Sequence, residues 1–91
     1  MKHNVYFDGR VQSLGLNTKE GYATVGVVTA GRYTFYAEYE EHVAIVSGQL
    51  RVKLPGREWR VVRTGEKYVV PRNSSFDVEA LGDAAYICYY K

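Results

Sequence analysis

The chain has 91 residues, with twelve basic and ten acidic side chains and a formal charge of +2. These charges are scattered, so the sequence does not predict the clustered Lys/Arg surface that nucleic-acid binding uses. No apolar stretch approaches the roughly 18 residues of a membrane span, and the N-terminal sequence MKHNVYFDGR lacks the apolar run of a signal peptide. We therefore expect one domain over residues 1–91, with no nucleic-acid or membrane partner.

The predicted elements are short strands separated by glycine- and proline-containing breaks, a pattern that excludes long helices. They are rich in Val, Tyr, Thr and Ile, and they cover residues 22–30, 32–38, 42–47, 50–54, 58–63, 67–70, 75–80 and 85–90. About eight strands at this spacing predict an all-β, antiparallel sandwich or closed barrel. His3 precedes these strands, and we expect it in a mobile N-terminal segment.

Glu41 stands directly before the apolar run of residues 43–46. A carboxylate that faces inward is costly unless it is used or paired. Two interpretations follow: Glu41 belongs to a functional site, or it is a strand-end glutamate paired with a nearby Arg or Lys. His42 is the next residue, so on a strand it faces the opposite side.

Two spacings resemble the signature motifs of the cupin family. Six residues lie between Glu41 and Gly48, and Gly65 is followed by five residues, Pro71, one residue and Asn73. In cupins these motifs also carry metal-binding histidines, but the corresponding positions here are Phe35, Ala37 and Phe76. One carboxylate without imidazole ligands binds a transition metal weakly, so we expect a single-domain cupin jelly roll, an antiparallel β-barrel, with no metal.

The whole chain resembles a narrower group, the short metal-free cupins of the pyrimidine/purine nucleoside phosphorylase family. The resemblance rests on YFDGRVQSLG, TVGVVTAGRYTF, EEHVAIVSGQLRVKLP, VVPRNSSFDVEA and AYICYY, which follow in this order. It implies phosphorolysis of diverse purine and pyrimidine nucleosides to a free base and ribose 1-phosphate. Inorganic phosphate is then the co-substrate and nucleophile, with no cofactor.

This reaction requires an anion facing the ribose, donors for phosphate and a wall for the base. Glu41 is the candidate for the ribose. The turn of residues 71–76 offers Arg72 and Ser74 for phosphate, since turn amides and arginine bind such anions. The same residues also suit an ordinary polar turn with an exposed arginine.

The remaining candidates are aromatic residues and one thiol. Phe35 and Phe76 either stack a base or fill the space that a metal would occupy. Tyr86, Cys88 and Tyr90 alternate along the last strand, so they share one face and can line the site, with Tyr90 as a catalytic phenol. Cys88 is expected to line the pocket rather than act as a nucleophile, because no histidine is predicted nearby. Tyr33 joins them if the turn at Gly31 directs it inward.

Three functions remain open at this point. The first is the phosphorylase, the second a cupin that binds a sugar or nucleoside without turnover, and the third a metal-dependent oxygenase or isomerase, against which the missing histidines count. The many tyrosines and apolar strand faces also predict a homodimer. A lone cysteine, which cannot form an internal disulfide, favours a cytoplasmic location.

Overall fold

The computed structural model describes residues 1–91 and contains ten β-strands with one short 3-10 helix. The strands are β1 Lys2–Tyr6, β2 Val11–Thr18, β3 Gly21–Val28, β4 Gly31–Ala37, β5 Glu41–Ser47, β6 Gln49–Lys53, β7 Arg60–Arg63, β8 Lys67–Val70, β9 Ser74–Ala80 and β10 Ala84–Tyr90; the 3-10 helix is Phe7–Gly9. The molecule contains no helix with the length and apolar character needed to cross a membrane.

The strands form two antiparallel sheets, which confirms the predicted all-β class. The larger sheet has the order β1-β2-β3-β10-β5-β8 and the smaller one β4-β9-β6-β7. Neighbouring strands in both sheets run antiparallel. A cluster of 16 buried residues drawn from both sheets fills the space between them. In most strands apolar side chains alternate toward this core, which fixes the register of the pairing.

The prediction of a mobile N-terminal segment was wrong. Residues 2–6 form β1, which pairs along its length with β2, and His3 Nε2 lies 2.9 Å from Gln12 Oε1. The sequence did not predict β1 and β2 because β2 reverses the usual alternation of apolar inward and polar outward residues. Its inner face carries the small residues Ser13 and Gly15, while its leucines face outward, so the segment lacks the pattern of a half-buried strand.

The turn before β9 holds the ends of both sheets together. Asn73 adopts φ 57°, the left-handed region that Asn tolerates better than most residues. Its backbone N–H donates to the Ala37 carbonyl at 2.7 Å. Asn73 therefore takes the place of the cupin-motif glycine, and the turn fixes the end of β4 beside the start of β5.

Candidate functional site

An inner cavity with a volume of about 260 Å³ lies between the two sheets. Thirteen of its 16 lining residues are hydrophobic. The lining consists of Tyr6, Phe7, Ser13, Val28, Thr34, Phe35, Tyr36, Glu41, Val43, Leu50, Tyr68, Phe76, Val78, Tyr86, Cys88 and Tyr90. The set contains one carboxylate and no Lys, Arg or His. Such a space suits a neutral, planar ligand and disfavours a phosphate dianion.

Glu41 is the first residue of β5, and its side chain faces the cavity. Register places it opposite Tyr90 on β10 and Val70 on β8. The Cys88 thiol donates to Glu41 Oε1 at 3.6 Å. The carboxylate forms no ion pair within the protein, so the interpretation of Glu41 as a salt-bridged strand end is wrong. His42 faces away and lies 2.6 Å from the Glu40 carboxylate.

The inner face of β10 carries Tyr86, Cys88 and Tyr90, as the alternation predicted, and all three line the cavity. The Tyr90 hydroxyl lies 3.1 Å from Thr24 Oγ1. The Tyr86 ring lies directly over Gly26 of the neighbouring β3, where only a residue without a Cβ leaves room for it. Gly26 therefore sets the position of one cavity wall.

Burial makes this cavity unfavourable for negative charge. It raises the pKa of Glu41, an effect that the hydrogen bond from Cys88 partly offsets. It also raises the pKa of the Cys88 thiol, and the nearby Glu41 carboxylate raises it further. The pKa values of Tyr86 and Tyr90 are raised by burial for the same reason. At neutral pH the thiol and the phenols are therefore neutral, and Cys88 is not an activated nucleophile.

Aromatic rings form the wall opposite β10. Phe35 and Phe76 stack with centroids 5.7 Å apart and an interplanar angle of 27°. Phe7 meets Phe35 edge-on at 5.5 Å, and Tyr6 meets it at 6.2 Å. Phe7 holds this contact from φ 53°, a backbone conformation that is strained for a phenylalanine. The 3-10 helix thus closes one side of the cavity with aromatic surface that the sequence did not assign to the site.

An outer cleft of about 730 Å³ adjoins the cavity and shares Tyr6, Tyr36, Glu41 and Tyr90 with it. Its remaining lining residues are mostly polar: Lys2, Asn4, Tyr22, Thr24, Glu38, Tyr39 and Lys91. Glu41 therefore lies at the junction between the apolar inner cavity and the polar outer cleft, which contains the ammonium groups of Lys2 and Lys91. The site is thus divided into an apolar part and a polar part.

Three sequence-predicted residues lie outside the cavity lining. The Ser74 hydroxyl donates to the Pro71 carbonyl at 2.5 Å, so it serves the turn itself. The Arg72 guanidinium lies 5.8 Å from the centre of the ring of Tyr39, a residue that lines the outer cleft. Tyr33 does point inward, but its hydroxyl donates to the backbone carbonyls of Thr29 and Ala30, at 2.8 and 3.2 Å. These contacts give Ser74 and Tyr33 structural roles.

Tyr68 is one of the cavity residues that were not predicted from the sequence. It lies on the inner face of β8, opposite Val43, and it is 6% exposed. The signal was present, because Lys67 and Val69 flank Tyr68 on a predicted strand and polar Lys67 indicates which face is outside. Tyr6 and Phe7 had no comparable signal, since their placement depends on the unpredicted β1.

The donor set does not fit a cupin metal. At the cupin ligand positions the structure presents the rings of Phe35 and Phe76 and the methyl group of Ala37, with Glu41 as the single oxygen donor. No group of three or more His, Cys, Asp or Glu side chains comes together anywhere in the protein. A transition-metal site draws on several such ligands at once, so these residues do not form one.

Comparison with known proteins places the chain in a family. A family model described as pyrimidine/purine nucleoside phosphorylase matches residues 1–90. A Pseudomonas syringae pv. tomato protein of that name is 43% identical over 91 residues, covering 99% of this chain and 98% of the relative. The relative from Pseudomonas fluorescens is 44% identical, with 99% and 97% covered.

Solved structures share the fold of this chain. A Vibrio parahaemolyticus protein of unknown function superposes with a TM-score of 0.94 at 40% identity, covering 99% of this chain and 97% of the other. An RmlC-like cupin from Shewanella frigidimarina, 16% identical, superposes with a TM-score of 0.76 over 96% and 79% of the two chains, which confirms the cupin fold. The chain therefore belongs to the pyrimidine/purine nucleoside phosphorylase family.

Proposed function

We propose that the protein catalyses phosphorolysis of purine and pyrimidine nucleosides, releasing the free base and ribose 1-phosphate. The observation that carries the proposal is the position of Glu41. Its carboxyl stands where an aromatic cavity meets a cleft with two lysines, in a chain of this family. A nucleoside has the matching division into an apolar planar base and a polar sugar, and phosphate approaches from the sugar side.

In the proposed arrangement the base occupies the inner cavity between the Phe35–Phe76 wall and the face of Tyr86 and Cys88. The ribose lies at Glu41 and Tyr90. Stacking on aromatic rings does not depend on the identity of the base, which suits a substrate range that spans purines and pyrimidines. Phe35 and Phe76 then have a binding role in addition to filling the space between the sheets.

In this proposal phosphate binds in the outer cleft, near Lys2, Asn4 and Lys91, with Arg72 nearby beside Tyr39. A phosphate oxygen attacks the anomeric carbon of ribose from the side opposite the base. The bond between that carbon and the base nitrogen breaks, and its electron pair leaves with the base, which then takes up a proton. The Glu41 carboxylate accepts hydrogen bonds from ribose hydroxyls and stabilises the positive charge that develops on the sugar. The residues supply this chemistry without a cofactor.

The direct test incubates the purified protein with adenosine or uridine, with and without inorganic phosphate, and follows base and ribose 1-phosphate by chromatography. We expect both products in equal amounts and only when phosphate is present. Treatment with EDTA should leave the rate unchanged, because the ligand set does not fit a metal. Activity that is lost on chelation would instead support the metal-dependent interpretation.

Binding without turnover remains the second candidate, because an aromatic cavity can hold a nucleoside without cleaving it. The same samples examined by isothermal titration calorimetry distinguish the two. Stable binding of adenosine in phosphate buffer with no base released would contradict the phosphorylase and support a binding cupin.

We also propose a homodimer formed through the outer face of the larger sheet. This face is apolar across adjacent strands, with Leu14, Val25 and Val27 between 44% and 49% exposed. Register places Leu14 and Ile87 on either side of Val25, so these side chains form one continuous surface. Monomeric proteins rarely expose apolar patches of this kind, and a two-fold contact would bury this one.

We also propose a cytoplasmic location, because the buried free thiol of Cys88 suits a reducing compartment.

Charge placed on the apolar outer face of the larger sheet should separate the subunits. Val25→Arg is expected to convert a dimer into a monomer of 10.3 kDa by light scattering during gel filtration, since an unpaired arginine would be buried at the contact. Leu81→Arg is the matched control, because Leu81 is 78% exposed in the turn before β10 and lies off this face. A monomeric parent protein, or a dimer that survives Val25→Arg, would contradict the proposal.

A further inference from the structure

Tyr68 occupies the inner part of the cavity, beyond Glu41. On β5 and β8, the pairs Glu41–Val70 and Val43–Tyr68 succeed one another, so Tyr68 lies one inward-facing layer deeper than the carboxyl. Two residues along a strand correspond to about 7 Å. When ribose hydroxyls contact Glu41, a base directed into the cavity reaches this layer. Tyr68 is then next to the edge of the base.

The Tyr68 hydroxyl has no side-chain hydrogen-bond partner, although its residue is 6% exposed. Two other phenols in or near the core differ: Tyr33 donates to two carbonyls, and Tyr90 is paired with Thr24. All fully enclosed polar side-chain atoms of the protein have partners, so the Tyr68 oxygen must open onto a space that the residue lines. A buried phenol normally finds a partner, which leaves this one available to a ligand.

Tyr68 borders two spaces. It lines the inner cavity together with Glu41 and Cys88, and it also lines a hollow formed by Arg57, Trp59 and Arg60 among others. On β8 its side chain lies on the inner face opposite Val43, which lines the cavity and not the hollow. The cavity is also the space that a base held at Glu41 would enter.

We propose that Tyr68 is a specificity-determining residue whose hydroxyl binds the polar edge of the nucleobase. This inference rests on the proposed function. A neutral phenol both donates and accepts, so it can donate to the carbonyl of uracil or hypoxanthine and accept from the amino group of adenine or cytosine. One side chain thus serves purines and pyrimidines alike, whereas an ammonium group could only donate and a carboxylate could only accept.

The test compares Tyr68→Phe with the parent protein on adenosine, uridine and purine riboside, which lacks an exocyclic polar group. We expect kcat/KM to fall about 10- to 100-fold for adenosine and uridine and to change less than about threefold for purine riboside. The thermal midpoint should stay the same or rise, because the removed hydroxyl has no partner in the protein. A residue with a purely structural role would not change the ratio between substrates.

Tyr33→Phe is the matched control, because it removes an equally buried hydroxyl that is bound to the backbone. It should lower the thermal midpoint and leave the substrate ratio unchanged. Equal losses on all three nucleosides in Tyr68→Phe, or no loss, would overturn the assignment of Tyr68. An inactive parent protein that still binds adenosine more tightly than Tyr68→Phe, measured by calorimetry, would remove the phosphorylase but keep Tyr68 as a base-binding residue. An inactive parent that shows no such difference overturns both.

Discussion

Replacing Glu41 with glutamine is expected to lower kcat by about 100-fold or more, the usual cost of removing a group that stabilises transition-state charge. Glutamine keeps the shape and one carbonyl oxygen, so it can still accept a hydrogen bond from a ribose hydroxyl. It cannot neutralise positive charge on the sugar. We therefore expect the loss mainly in kcat, with a smaller change in the KM for adenosine, measured by initial rates at saturating phosphate.

The same variant should be at least as stable as the parent protein. Because burial raises the Glu41 pKa in the folded state above its ordinary value, the folded protein holds this proton more tightly than the unfolded chain does. Protonated Glu41 therefore contributes to the free energy of unfolding at acidic pH, and this contribution is lost as pH rises through the folded-state pKa. Glu41→Gln removes this dependence, so its thermal midpoint should change less than that of the parent between acidic and neutral pH. In the parent, activity should fall on the acidic side as the carboxylate becomes protonated.

Glu40→Gln is the matched control, since Glu40 is the preceding residue and its carboxylate pairs with His42 at 2.6 Å instead of facing the cavity. It should retain most of the activity. Comparable losses in both variants would show that the turn, and not the carboxylate at the junction, is required. An unchanged rate in Glu41→Gln would remove Glu41 from the site.

The sequence predicted those parts of the site that strand alternation controls. The two-residue period of β10 placed Tyr86, Cys88 and Tyr90 on one face, and motif spacing placed Phe35 and Phe76 inside. Both inferences need only the knowledge that these segments are strands. Local pattern was sufficient because side-chain direction in a strand is a local property.

Features set by long-range pairing could not be predicted in the same way. β1 contributes Tyr6 to the cavity and Lys2 to the outer cleft, but it is recognisable as a strand only through its pairing with β2. Ser74 shows that a contact between residues close in sequence can also be missed. Its residue type suits phosphate, yet the turn uses the hydroxyl for its own Pro71 carbonyl, a choice that the sequence does not reveal.

A single methyl group at Gly26 is expected to lower kcat/KM on the order of 100-fold, comparable with other small displacements of positioning groups. An ideal Cβ at Gly26 would lie 2.5 Å from Cζ of Tyr86, far inside contact distance. The β3 backbone does not yield easily, because Gly26 is paired on both sides, with Ser13 and with Tyr86. The Tyr86 ring must therefore move into the 260 Å³ cavity, where the base is proposed to bind.

Gly15→Ala is the comparison that separates crowding from loss of the binding space. Its Cβ would approach the hydroxyl of Tyr22 to 2.1 Å, an equally severe overlap, but Tyr22 is 41% exposed and can move into solvent. We expect little change in the KM for nucleoside, and any effect should fall on the KM for phosphate, since Tyr22 lines the outer cleft.

The overlap with Tyr86 should also lower the thermal midpoint of Gly26→Ala. Adding Tyr86→Leu to this variant should restore the midpoint, because the shorter side chain leaves room for the methyl group. Full activity in Gly26→Ala, or equal losses in both glycine variants, would show that the space beneath Tyr86 does not hold the base.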